Sequence, residues 1–206
     1  MSRSSLARSA TTGRGRDSHA VAQAVHDLGA ALWFGGAVMG VAGVNKSGAD
    51  LSQGLDRIRV AGSAWSRFGP VEWAGIAATA VAGTRLTTTN ATRLAAQRGF
   101  AGTGAAKAAV VLLGAGATAY ATYTGGKVGQ TAEEIARRGE PVEVEDASKP
   151  TDRTPPELAR WQRRQRVAQY AVPVLAGANI VLTSVLVQSY RPAATARGVV
   201  ARLSPR

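Results

Sequence analysis

Five side chains stand out against apolar surroundings: His26, Asp27, Glu72, Lys107 and Asn179. An imidazole can ligate haem iron or relay a proton. A carboxylate and an ammonium at similar depth in a bilayer can neutralise each other, and an amide can hydrogen-bond across helices. In hydrocarbon each such group is a candidate for function, because an unpaired charge there is costly. Asp27 and Lys107 fall at similar depth, so their pairing is the expectation. Glu72 lies near the opposite end of its segment, within reach of Arg67, Tyr120 or water, and Asn179 lies near mid-membrane. Asp27 and Glu72 are therefore too far apart for paired-carboxylate acid/base work. Ser and Thr abound, but no His is placed to complete a nucleophilic triad. The glycines at Gly102–Gly104 lack the phosphate-loop pattern. No catalytic residue is assigned, and the chain does not read as an enzyme.

The elements that must position these groups are long apolar stretches. Ala20–Val44 carries one formal charge, Asp27, and at ~1.5 Å per residue it crosses a hydrocarbon core of ~30 Å. Similar stretches follow at about 66–86, 102–124 and 167–190. The expected fold is all-α: an integral membrane four-helix bundle over residues 19–190. Residues 1–18 read as a disordered basic tail and 191–206 as a second basic tail. Pro70 suits the first turn of span two, and Gly125-Gly126 reads as the stop of span three. The outer loop, 125–166, is expected to hold short extramembrane helices. Thr131 and Glu134 have capping-box spacing, and Thr154-Pro155-Pro156-Glu157 reads as a helix start running into span four. Pro173 should bend that span.

The charge pattern orients the bundle. Over 206 residues the net charge is +12, but the Lys and Arg residues lie between apolar spans rather than in an aromatic-bearing patch. Nucleic acid is therefore not an expected partner. The two tails and the link near Thr87–Gly99 together carry twelve Lys/Arg and one acid, Asp17, whereas the other side carries ten acids. The positive-inside rule then puts both termini in the cytoplasm. Trp65, Trp161, Tyr120, Tyr123 and Tyr170 gather at the opposite interface, as aromatic belts do. The first apolar run is too long for a cleaved signal core and is expected to stay as an anchor. Cysteine is absent, and only two His and two Met are present, so no metal site is expected.

Span one carries two rows at seven-residue spacing: His19, His26, Trp33 and Gly40, beside Ala22, Gly29, Gly36 and Gly43. Gly36 and Gly40 also form a GxxxG, the close-packing pattern of membrane helices. Matching small or polar stripes run through span two (Glu72, Gly75, Thr79, Gly83), span three (Lys107, Gly114, Thr118, Gly125) and span four (Gln165, Gln169, Asn179, Thr183). Each helix thus offers one face to a bundle interior.

The segment His26–Gly36, HDLGAALWFGG, resembles the first-helix pattern of copper-resistance D-like membrane proteins and their uncharacterised four-helix relatives. The matching positions are His26, Trp33, Gly35 and Gly36, and Trp65–Arg85 with Pro70 is loosely similar. The resemblance implies a multi-pass bacterial inner-membrane protein linked to copper or haem.

The function expected is that of a structural or interaction component of a membrane complex, its partners being the lipid bilayer and another membrane protein or a second copy. One alternative is a haem-binding or copper-linked redox subunit using His26. His19 and His26 lie about 10 Å apart along one helix, so bis-His ligation of one haem needs a dimer. A second alternative is a small transporter or channel, which requires a cavity reaching Asp27, Glu72 or Asn179.

Overall fold

The computed structural model describes residues 3–89 and 100–189, with side chains over 18–89 and 101–188. Most of the link read at Thr87–Gly99 and the tail at 191–206 lie outside the described residues. Four long helices are described: α1 (Arg3–Met39), α2 (Gly54–Thr89), α3 (Phe100–Arg137) and α4 (Pro156–Ser189). The chain is all-helical. Among the described residues there is no strand, only an isolated bridge between Val144 and Pro150. Three stretches, Ser18–Asp50, Ala101–Arg137 and Pro156–Gln188, are long and apolar enough to cross a membrane. The α2 helix falls short of that measure because Arg57, Arg59, Arg67, Glu72 and Arg85 dilute it.

Element boundaries depart from the sequence reading in three places. The α1 helix begins at Arg3, inside the segment read as a disordered tail, and ends in a wide π-turn, Gly40–Val44. The α2 helix begins at Gly54, so Pro70 lies in its interior and not in its first turn. The early turns form because Ile58 and Ala61 have a core to enter: they are 5 % and 3 % exposed. The third departure is in α3, which runs straight through Gly125-Gly126 to Arg137, so no separate short helix forms in the loop. Val128, Ala132 and Ile135 recur at helical spacing and pack against Ile58, Val144 and Leu158, which outweighs the ~1 kcal/mol per glycine that interrupts a helix. The helix stops instead at Gly139 (φ 75°). There Gly139 N–H bonds to Ala136 O and Glu140 N–H to Ile135 O, the paired bonds of a Schellman end.

The α4 helix begins at Pro156, after Thr154 and Pro155, and continues through Pro173.

The surface differs from that of a water-soluble bundle, and polar side chains share the interior with the apolar core. The interior holds His26, Glu72, Thr79, Thr118, Thr124, Gln169, Asn179 and Thr183, while Leu28, Val81, Leu112, Leu113, Val167 and Val174 are exposed. An apolar exterior, with polar groups kept inside beside the apolar clusters, suits hydrocarbon as the solvent. The α1 helix packs chiefly on α2, and α3 chiefly on α4; the α1–α4 and α2–α3 contacts are slighter. The α1–α2 approach is backbone to backbone: a Cβ on Gly29 would lie 2.7 Å from the Gly75 carbonyl oxygen. Gly36 and Gly40 receive the rings of Phe68 and Trp65, and Gly114 receives Trp33.

A folded cap closes the end bearing residues 138–155. Arg57 donates to the carbonyls of Leu51 (2.7 Å), Val144 (2.8 Å) and Glu145 (3.1 Å), tying α2 to the loop.

Candidate functional site

The slight α2–α3 contact leaves a cavity of about 580 Å³ below the cap. Its walls are α2 and α3, with α1, α4 and the loop residues Ala147 and Ser148 contributing the rest. Gly62 and Gly69 on one wall face Gly126 and Gly129 on the other, and a Cβ added at any of the four would meet open space. These glycines differ from Gly29 and Gly75 in setting: no helix packs against them, and their missing side chains leave the space between the walls open. Pro70, in the same wall, removes the N–H that would have bonded to the Ser66 carbonyl.

A chain of side-chain hydrogen bonds frames the capped end of the cavity. Trp65 Nε1 donates to Asn45 Oδ1 (2.9 Å), Asn45 Nδ2 to Gln169 Oε1 (2.8 Å), and Gln169 Nε2 to Ser148 Oγ (2.9 Å). One residue each from α2, the segment after α1, α4 and the loop is thereby fixed. Above it Arg59 pairs with Glu133 through two bonds, Nε to Oε1 at 2.7 Å and Nη2 to Oε2 at 2.9 Å. This pair joins α2 to α3 across the top of the cavity. The bond to Arg59 holds the Glu133 carboxyl below the usual carboxylate range, and Arg59 is raised in turn.

The cavity ends on Glu72 and on an apolar layer. Glu72 is 5 % exposed and lines the cavity. Neither partner anticipated for it is engaged: Arg67 lies in a separate groove with Val60, Phe68 and Val71, and Tyr120 is 46 % exposed. Beneath lies the cluster of Trp33, Ala37, Ile76, Val172 and Ala176. Trp33 is fully buried, its Nε1 donating to Thr118 Oγ1 at 3.3 Å.

Beyond that layer, toward the end away from the cap, sits the second polar group. His26 is fully buried. Its Nδ1 is 3.0 Å from Asp27 Oδ1, and its Nε2 is 2.8 Å from Lys107 Nζ. A carboxylate accepts and an ammonium donates, so the ring carries its proton on Nδ1 and accepts at Nε2. The expected direct pairing of Asp27 with Lys107 is replaced by this three-membered chain. The reason is angular: position 26 points into the bundle, while the Asp27 side chain is 56 % exposed and takes two bonds from Gln23 Nε2.

The same geometry fits haem poorly. An axial ligand needs one free ring nitrogen facing open space, and both nitrogens of His26 are engaged. Among the described residues no three His, Cys, Asp or Glu side chains gather as a metal site. Asn179 is fully buried, and neither its Oδ1 nor its Nδ2 has a hydrogen-bond partner among the described residues.

The structure thus places His26, Asp27 and Lys107 together, and Glu72 and Asn179 apart from them. Asn45, just past the first apolar stretch, and the glycines Gly62, Gly69 and Gly129 of the cavity wall carried no signal in the sequence that set them apart. No family model, curated protein or solved structure matches the chain.

Proposed function

We propose that this chain is a four-span inner-membrane protein, both termini cytoplasmic, that binds a small apolar or amphiphilic molecule in a cavity facing the outer side. The reading belongs to the transporter class of membrane proteins rather than to purely structural subunits. The observation that carries it is the cavity of about 580 Å³ between α2 and α3, within the ~300–1,000 Å³ range of small-molecule sites. Four wall glycines whose missing Cβ would touch nothing support it.

The fourth span in this reading is α2. Between Arg67 and Arg85 its only charge is Glu72, which is buried, while Val71, Trp73 and Val81 are exposed. That interval of 17 residues is about 26 Å of helix, close to a hydrocarbon thickness. Basic residues at the end away from the cap favour the cytoplasm for that end.

The Trp33 layer closes the cavity toward the cytoplasm, so the bundle has the form of a carrier open on one side. The test is binding of the uncharged fluorophore 1-N-phenylnaphthylamine to the full chain in nanodiscs, with empty discs as control. Saturable enhancement in the wild type, lost in Gly126→Leu, is the expected result. No saturable signal, or one indifferent to Gly126→Leu, refutes the reading.

A further inference from the structure

We infer that the molecule taken by the α2–α3 cavity is a lipophilic cation, an amine or quaternary onium with apolar substituents, for which Glu72 is the counter-charge. The inference rests on the cavity reading above and names its ligand class. Glu72 is the one ionisable side chain among the residues lining the cavity. It is 5 % exposed, and no hydrogen bond or ion pair of its own is found among the described residues. Buried carboxylates are ordinarily paired or hydrogen-bonded, so a carboxylate held at the floor of an apolar cavity lacks its partner.

Neither nearby cation lines the cavity. Arg67 lies in the separate groove, and Lys127 bonds to Gln130 and sits over the Tyr123 ring at 5.9 Å. Trp65 and Trp73 line the same cavity, and indole rings attract cations, most of all when water is excluded. Trp65 is held in place by its bond to Asn45. The remaining lining is mostly Gly, Ala, Val and Ile, which suits an apolar body and offers no cationic group to an anion.

The test uses three probes of similar bulk on the full chain in zwitterionic nanodiscs: cationic tetraphenylphosphonium, anionic tetraphenylborate and neutral triphenylphosphine oxide. Tetraphenylphosphonium should bind one per chain, roughly tenfold or more tighter than either other probe, the ratio set by one charge-assisted contact. Glu72→Gln should erase that preference while leaving triphenylphosphine oxide binding unchanged, and Glu72→Asp should keep it. Gly69→Leu should weaken all three. Equal binding of the cationic and neutral probes, or tetraphenylphosphonium affinity unchanged in Glu72→Gln, overturns the cation assignment and leaves the cavity reading standing. If none of the three binds saturably, both fall.

Discussion

Trp33 Nε1 donates to Thr118 Oγ1 at 3.3 Å, joining α1 to α3 directly below the cavity. The indole fills the space left by Gly114, where a Cβ would lie 2.4 Å from the ring. A large side chain against a glycine on the facing helix makes a plug. Trp33→Ala should cost about 3–5 kcal/mol of stability and let water pass from the cavity toward His26. Trp33→Phe, which loses the hydrogen bond and part of the ring seated on Gly114, should cost less, about 1–3 kcal/mol. Unfolding in detergent by SDS titration measures both, and equal losses in the two variants would contradict the plug.

The two classes of glycine predict opposite outcomes for one chemical change. Gly29→Ala drives a methyl into the Gly75 carbonyl and should cost about 1–3 kcal/mol through overpacking. Gly126→Ala meets nothing and should stabilise α3 by about 0.5–1 kcal/mol, the ordinary helix preference of alanine over glycine. The same SDS titration reads both signs.

Removing Lys107 isolates a buried acceptor. In Lys107→Met the Nε2 of His26 keeps its burial and loses its donor, at a cost of about 1–3 kcal/mol. The double variant Lys107→Met with His26→Phe, which removes both partners, should recover part of that loss. No recovery would show that the bond at 2.8 Å contributes little. A chain purified after growth with haem should show no Soret band, since both ring nitrogens are occupied.

Acid should loosen the top of the cavity. Glu133 is held below its ordinary value by Arg59, so its contribution is fully present above the unfolded carboxylate value of about 4.3. It is lost as pH falls through the lowered folded value. Tryptophan fluorescence followed from pH 7 to pH 3 should show an acid transition in the wild type that Glu133→Gln lacks. Identical curves would mean the pair does not hold α2 to α3.

Asn179 offers a sharper contrast. Both polar atoms of its side chain are buried without a partner, so Asn179→Leu should be neutral or stabilising. A clear loss of stability would reveal a partner, bound molecule or second conformation that uses the amide.

Much of this arrangement is legible in the residues themselves. Seven-residue rows on span one mark the face that becomes buried, since a 3.5-residue average spacing keeps side chains on one side of a helix. His26 and Trp33 are both fully buried there. Local signals misled where tertiary packing overrode them. Gly125-Gly126 looks like a stop, yet the apolar run Val128, Ala132, Ile135 carries α3 onward onto Leu158. Pro70 looks like a helix start, yet α2 begins about four turns earlier at Gly54, with Ile58 and Ala61 buried. The cavity has no signature in the sequence, because a glycine bordering open space and one packed against a facing helix are the same residue.

The claim that the cavity opens to the outer face and is sealed at Trp33 is tested most directly by single-cysteine labelling, for which this cysteine-free chain is a clean background. Gly69→Cys lies in the cavity wall with open space at its Cβ, and Thr79→Cys lies beyond the layer, 1 % exposed. In intact spheroplasts a small membrane-impermeant thiosulfonate should modify Gly69→Cys and leave Thr79→Cys untouched. Labelling of Thr79→Cys from outside, or of Gly69→Cys only after the membrane is opened, would contradict the account.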